Sequence, residues 1–488
     1  MQNGTLIAIY QGIGSSLPNL IQERKKAMEK KLSLSQQIAE IGAGLKFEDL
    51  PERVVNNSKM FIMDLLGNII ASRHVDSSLT CLKAVRELGD GDPVSTAIGC
   101  NYKTTPQMAA LINGTFGHAF DMDDDHRYGT QHSSVVVFPA ILALAEKYGC
   151  SGKDVLTAFA YGSEITIRLG EAFEGQTYYQ GFHPTGTCGV FGATGGAAKL
   201  LGLDAEKITY ALGLAGSQAA GLLEWKAQGT WSKRYQAGHP AMCGVISAIM
   251  AKNGYTAPTT VWDGQDGFLR AYSYKDIWNE AKVYEEFGKS WEMADTSIKV
   301  HACCRFSAPL ADAGVDLFNR GVDYKQVDSI LARVNKYSIK VLTIPEETKA
   351  DPKTVVDAQF SLPYAIACGM VKGHENIDDY TYEAIRDPEV LDLAKKVKWV
   401  LDPEIEKVYA KYYPCTVEVT MKDGSVITSH TEYPKGDPEN PVTWDEAVEK
   451  FRFMAGHEMG TYKVQKIIDL CAHLEELPNL NELVDLLY

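Results

Sequence analysis

In the stretch Gly189-Val190-Phe191-Gly192-Ala193-Thr194-Gly195-Gly196-Ala197-Ala198-Lys199-Leu200-Leu201, glycine interrupts an otherwise apolar helical run at positions 189, 192, 195 and 196. A glycine inside a helix costs about 1 kcal/mol relative to alanine, so the pattern is tolerable where the missing side chains admit a close neighbour. The stretch is therefore predicted to be a helix buried in the centre of a helical core, and Ala211 to Leu223, equally rich in small residues, is predicted likewise. Further out, Phe61, Leu65, Leu66, Ile69 and Ile70 keep an apolar face at helical spacing. Thr105 precedes Pro106 as an N-cap precedes a first helical position, and Ser151 caps a helix with Asp154 three residues later. Helices dominate up to about residue 295.

The pattern then changes. Ile330 to Ile344 carries alternating β-branched positions, Thr416 to Met421 alternates again, and Asp423-Gly424 follows as a hairpin signal. Pro388 to Leu401 reads as helix. The expected organisation is an extension over 1–32, a large helical domain over 33–295, a smaller α+β domain over 296–442, and a helical segment, 443–488, returning to the large domain. Within the extension, Gln22 to Lys31 is predicted to be a short exposed helix.

A hydrophobic fraction of 45% and a charged fraction of 23% are those of a folded globular chain. The net charge of -15 disfavours nucleic acid and anionic membrane surfaces as partners, because either requires clustered Lys and Arg. A small anionic substrate stays compatible, since a pocket gathers its own cations. The ten cysteines show no CxxC spacing and read as reduced thiols. No apolar run approaches the length of a membrane span, and cytoplasm is the expected compartment.

The segment Asp121-Met122-Asp123-Asp124-Asp125-His126 follows the helix begun at Pro106. Acids there face the negative end of the helix dipole, a penalty of about 0.3 to 1 kcal/mol each, so cationic partners are expected. A solvated acidic turn is the plain alternative. An EF-hand fails because His126 and His132 stand where its loop needs Gly and Glu. A magnesium–diphosphate site fails for want of a second acidic motif. His183 lies in a Gly/Thr-rich turn before a small-residue helix, where backbone N–H groups can face an anion, although a lone loop histidine is more often structural. Lys233 and Arg234 are adjacent cations beside a buried element and need an acidic partner or an anionic ligand, unless they reach solvent. Lys299 and Arg305 flank Val300-His301-Ala302-Cys303-Cys304 at the apparent domain boundary, a favoured place for pockets.

Taken in order, Asn113-Gly114-Thr115-Phe116-Gly117-His118 with Asp121 to Asp124, His183-Pro184, Gly229 to Gly238, Ile298-Lys299 to Arg305, and Asp357 to Tyr364 give the chain a resemblance to the MmgE/PrpD family, over residues 34 to about 460. The family includes 2-methylcitrate dehydratase, cis-aconitate decarboxylase and iminodisuccinate epimerase. The resemblance implies a mainly α fold, with a large all-helical domain, a smaller α+β lid, a pocket between them and a homodimer. It carries the family's pocket positions onto Asp121, Asp125, His132, His183, Lys233 and Lys299. Two departures stand out: Asp125 occupies a position that is Thr in the decarboxylase, and Cys304 one that is His, with Cys304 or His301 as possible substitutes. The spacing to His132 is one residue longer.

The expected catalytic set is thus Asp121, His132, His183 and Lys233. The expected substrate-binding set is Asp125, Arg234, Lys299, Cys304 and Arg305, with no metal and no cofactor. The chemistry implied is proton transfer beside a carboxylate of a small di- or tricarboxylate, with a 2-methylcitrate dehydratase-like hydro-lyase placed first. Decarboxylation of a cis-aconitate-like acid and epimerisation of an iminodisuccinate-like acid are the alternatives. A non-catalytic ligand-binding protein on the same fold is the alternative of another class.

Overall fold

The computed structural model describes residues 32–89, 91–409 and 411–488; the helix expected over Gln22 to Lys31 lies outside them. The Gly189–Leu200 helix is buried among Ser134–Tyr148, Gly152–Ala172 and Ser232–Lys252. Its glycines do what their cost required: a Cβ on Gly192 would lie 1.7 Å from the Thr166 hydroxyl oxygen. A second close crossing joins Pro106–Gly117 to Ser232–Lys252, where a Cβ on Gly238 would lie 2.3 Å from the Leu111 carbonyl oxygen. That crossing brings the start of the second helix beside the end of the first, and with it Lys233 beside His118.

Ser151 and Asp154 form the expected reciprocal cap. Thr105 has the extended backbone of an N-cap, without a side-chain cap bond. The small-residue helix expected over Ala211 to Leu223 is instead Ala205–Ala215, followed by a 3-10 turn at Gly216–Gln218. The helical part is not purely helical either: β1 (Ser95–Ala97) and β2 (Tyr102–Thr104) form a short antiparallel hairpin.

The smaller part, called the lid below, holds a four-stranded sheet formed by β3 (Val327–Val334), β4 (Val397–Leu401), β5 (Cys415–Met421) and β6 (Val426–Thr431), in the order β4-β3-β5-β6. The β3/β4 pair is parallel and the others antiparallel. Asp423-Gly424 makes the β5–β6 turn, with Gly424 at a φ of 84°. Two expectations are corrected here. The run from Ile330 is strand only to Val334, because Asn335 caps the Lys336–Leu342 helix with its side chain. Pro388 to Leu401 is helix only to Ala394 and then becomes edge strand β4. The Ala308–Asn319 helix packs on β5, β6 and the Leu362–Lys372 helix.

Met122, Leu223 and Trp225 of the helical part are buried within the lid's apolar core, so the acidic segment sits at the seam. The Trp444–Gly456 helix lies against Glu52–Ala71. From it Lys450 reaches Asp64 at 2.6 Å and the carbonyls of Met122 and Lys299 at 2.8 and 2.7 Å. No helix among the described residues is long and apolar enough to cross a membrane.

Candidate active site

The site begins where the Pro106–Gly117 helix ends. Asp121 takes a φ of 56°, which costs a non-glycine residue about 1 kcal/mol, and the carboxylates around this turn go to different partners. Asp121 lies 2.9 Å from Lys233 Nζ through Oδ2 and 2.7 Å from Lys299 Nζ through Oδ1. Asp123 accepts a hydrogen bond from His118 Nδ1 at 2.9 Å and lies 3.3 Å from His132 Nδ1. Asp124 accepts from the Ser133 hydroxyl and the Ser134 N–H and hydroxyl at 3.1, 3.2 and 2.8 Å, and so caps the Ser134–Tyr148 helix. Burial, with Asp123 alongside, pushes the Asp124 carboxyl up to about 7. Asp125 lies 3.5 Å from Arg305 Nε. Three of the four acids that looked awkward at a helix C-terminus therefore have close partners, while Asp125 stands beside Arg305 without a hydrogen bond to it.

Three imidazoles meet here, with His118 centred 4.6 Å from His132 and 6.1 Å from His183. Hydrogen-bond partners fix their protons. His118 donates from Nδ1 to Asp123 and accepts from Lys233 Nζ at Nε2, 2.8 Å away. Burial pulls His118 down to about 4, so it is neutral near pH 7. His183 donates from Nδ1 to Gln236 Oε1 at 2.9 Å, because the Gln236 amide nitrogen is committed to the Leu222 carbonyl. Its Nε2 is left without a protein partner among the described residues, and burial, reinforced by Lys233, holds it neutral, well below its ordinary pKa. His132 differs. Its Nδ1 donates to the Asp124 carbonyl at 2.6 Å, and Nε2 lies 4.0 Å from Asp121. Burial opposes its charge, but Asp123 more than offsets this and raises its pKa.

Of the expected residues, Asp121, Asp125, His132, His183, Lys233, Cys304 and Arg305 line one narrow cavity of about 50 Å³. Lys299 stands behind Asp121, outside the lining. Burial opposes its charge, yet Asp121 and Asp123 raise its pKa. Arg234 does not join them. A helix turns about 100° per residue, and the guanidinium beside Lys233 lines a different cavity and donates to Ser77 at 2.6 Å. Burial pushes the Cys304 thiol up to about 11, so it carries no charge near neutrality. His301, the other expected substitute for the decarboxylase's histidine, does not line this cavity; its Nε2 lies 2.8 Å from Asp312. The cavity adjoins one of about 300 Å³ that shares Arg127, Thr130, Tyr178, Phe306 and Tyr413.

Residue-by-residue reading missed His118, Asp123, Gln236 and Asp437. The first three lay inside the quoted motifs, but their roles depend on the turn at Asp121 or on partners distant in sequence, Lys233 for His118 and His183 for Gln236. Asp437 holds Arg305 Nη2 at 2.6 Å and lies 3.7 Å from Arg127.

His118, Asp121, Asp123 and His132 are close enough to share a metal ion. The donor set does not fit one: Asp121 already binds two ammonium groups, and Lys233 occupies His118 Nε2. A second group, His126 with Glu171 and Glu292, fails on its tautomer. His126 Nδ1 accepts the Gly129 N–H at 3.1 Å, which puts the proton on Nε2 and leaves no free lone pair.

A buried cluster of carboxylates, imidazoles and ammonium groups thus lies at the seam between a helical part and an α+β lid. The chain belongs to the MmgE/PrpD family: residues 36–281 match the MmgE/PrpD N-terminal domain and residues 301–476 the MmgE/PrpD C-terminal domain. It is 28% identical to a cis-aconitate decarboxylase-like protein of Aspergillus oryzae, over 91% of this chain and 95% of that one. It is also 28% identical to a cis-aconitate decarboxylase of Aspergillus terreus, over 94% of this chain and 96% of that one. A mitochondrial 2-methylcitrate dehydratase of Yarrowia lipolytica is 24% identical, over 80% of this chain and 77% of that one.

Proposed function

We propose that the protein is a cofactor-independent lyase of a small polycarboxylate, with decarboxylation of a cis-aconitate-like acid as the leading reaction. Sequence reading placed dehydration first. The likeness favours decarboxylation, at 28% identity over 94% of the chain against 24% over 80% for the dehydratase. One observation carries the reading: a neutral His183 and a His132 biased toward its protonated form line one cavity beside Lys233.

In such a reaction the bond to the departing carboxylate breaks and its electron pair stays on carbon, delocalised toward a neighbouring carboxylate. Lys233, fixed by Asp121 and His118, stabilises that charge, as preorganised cations do in a site closed to water. His132 Nε2–H returns a proton to carbon as CO₂ leaves, and Asp123 stabilises the imidazolium beforehand. His183, oriented by Gln236, is the base a hydro-lyase or epimerase would use.

A second reading rests on Asp125. Arg305 is already matched by Asp437, and Arg127 by Glu439, while Asp125 Oδ2 is buried with no hydrogen-bond donor among the described residues. A substrate hydroxyl or amine would satisfy that oxygen, which favours a 2-methylcitrate-like or iminodisuccinate-like acid.

Proton NMR of the purified protein in D₂O with these acids tests both readings. Loss of CO₂ from cis-aconitate with one deuterium in the product supports the first. Alkene formation from a hydroxy acid, or deuterium exchange without net loss, supports the second. No turnover of any acid, with the protein folded, sinks the enzyme reading.

A further inference from the structure

A second cavity, of about 370 Å³, also lies between the helical part and the lid. From the helical part it takes Trp231 and Arg234, from the lid Val356, Ile377 and Tyr380. Arg234 is 6% exposed and makes one hydrogen bond to a neutral partner, the Ser77 hydroxyl. Among the described residues no carboxylate lies within ion-pair distance of it. Burial pulls its pKa down to about 10, the mark of a guanidinium short of counter-charge.

Of the three acids that line this cavity, Glu458 pairs with Arg73 at 2.6 Å, Asp378 lies at the exposed edge 3.7 Å from His457, and Asp76 has no ion pair among the described residues. One buried cation is thus left facing an apolar chamber. The remaining acidic rim, with Asp76, repels a di- or trianion.

We propose that this cavity is a second binding site, separate from the catalytic one, for a monocarboxylate with an apolar body, whose carboxylate Arg234 holds. A ligand touching both parts of the molecule favours their closed arrangement. At about 50 Å³ the catalytic cavity has room for only a few waters, so a polycarboxylate seated beside Lys233 requires its walls, or those toward the adjoining 300 Å³ cavity, to part. Occupation of the Arg234 cavity therefore slows exchange at the catalytic one. This does not depend on which acid is turned over.

Calorimetric titration of the full chain with benzoate, and with benzamide as its neutral match, tests the site. Saturable benzoate binding at one per chain is expected, with benzamide at least tenfold weaker. Arg234→Met should weaken benzoate at least tenfold, and Lys233→Met should leave it. Should Arg234→Met fail to fold, Val356→Trp, which fills the chamber and keeps the charge, must cause the same loss. Equal binding of benzamide, no saturable benzoate binding, or loss in Lys233→Met alone overturns the site. Hydrogen exchange along Val355–Gln359 should slow with benzoate bound; unchanged exchange overturns the locking.

Discussion

Lys233 and Arg234 are neighbours on one helix, yet they face opposite kinds of surroundings. Lys233 Nζ touches Asp121 and His118 and lies 5.6 Å from the Trp225 ring and 5.8 Å from the Phe360 ring. Arg234 has a single hydroxyl and open space. Around Lys233 nearly every polar atom constrains another, which is what a group that must act at a fixed place needs; around Arg234 the partner is missing, which is what a group that waits for a ligand shows.

The comparison breaks most sharply at Lys233. Lys233→Met should lower kcat/KM by about 10³-fold, as loss of a fixed charge-stabilising group does; a loss below tenfold in steady-state assays would mean the dense cluster is structural. His132→Gln and His183→Gln come next, each costing on the order of 10²-fold in kcat if the residue transfers a proton. Equal losses in every assayed reaction would assign both to the same step, whereas decarboxylation should spare His183→Gln.

A subtler break comes from Asp123→Asn. A reaction that uses protonated His132 proceeds below that residue's pKa and fails as pH rises through it. Asp123 raises this pKa against burial, Lys233 and Lys299, so removing its charge should move the alkaline limb of the pH–rate profile to lower pH. The stability that His132 gains from Asp123 has the same sign: it is present below the unfolded value of 6.5 and is lost as pH rises through the raised native value. A limb that stays in place would remove His132 as the acid. The smallest effect is expected at Asp125→Thr, which should shift the preference between cis-aconitate and hydroxy or amino acids by about tenfold, read as a ratio of kcat/KM values.

Much of the fold was legible because its signals are local. The Gly189 stretch announced close packing, Ser151 and Asp154 announced a cap, and Asp423-Gly424 announced a hairpin. β4 was not legible: five residues at a sheet edge following a real helix continue its apolar spacing, and only pairing with β3 makes them a strand. The site divides in the same way. Residue type and motif indicated Asp121, His183 and Lys233, whereas His118 and Gln236 act by fixing another residue's proton or charge, a property of juxtaposition. Arg234 was grouped with Lys233 by adjacency in sequence, although adjacent helix positions point apart.

Lys450 has a consequence for how the protein is made. The ammonium that ties Asp64 to the carbonyls of Met122 and Lys299 belongs to a helix more than 140 residues beyond Lys299 in the chain. A ribosome delivers the Asp121 wall first, the lid next and this fastener after both. Until then Asp64 has no lysine to meet, and the Asp121 wall and Lys299 hold together through their own contacts, the Asp121–Lys299 ion pair and the backbone pairing of Asp125 with Ser297. The tie from Lys450 to the carbonyls of Met122 and Lys299 is therefore added only after synthesis has passed the Trp444–Gly456 helix.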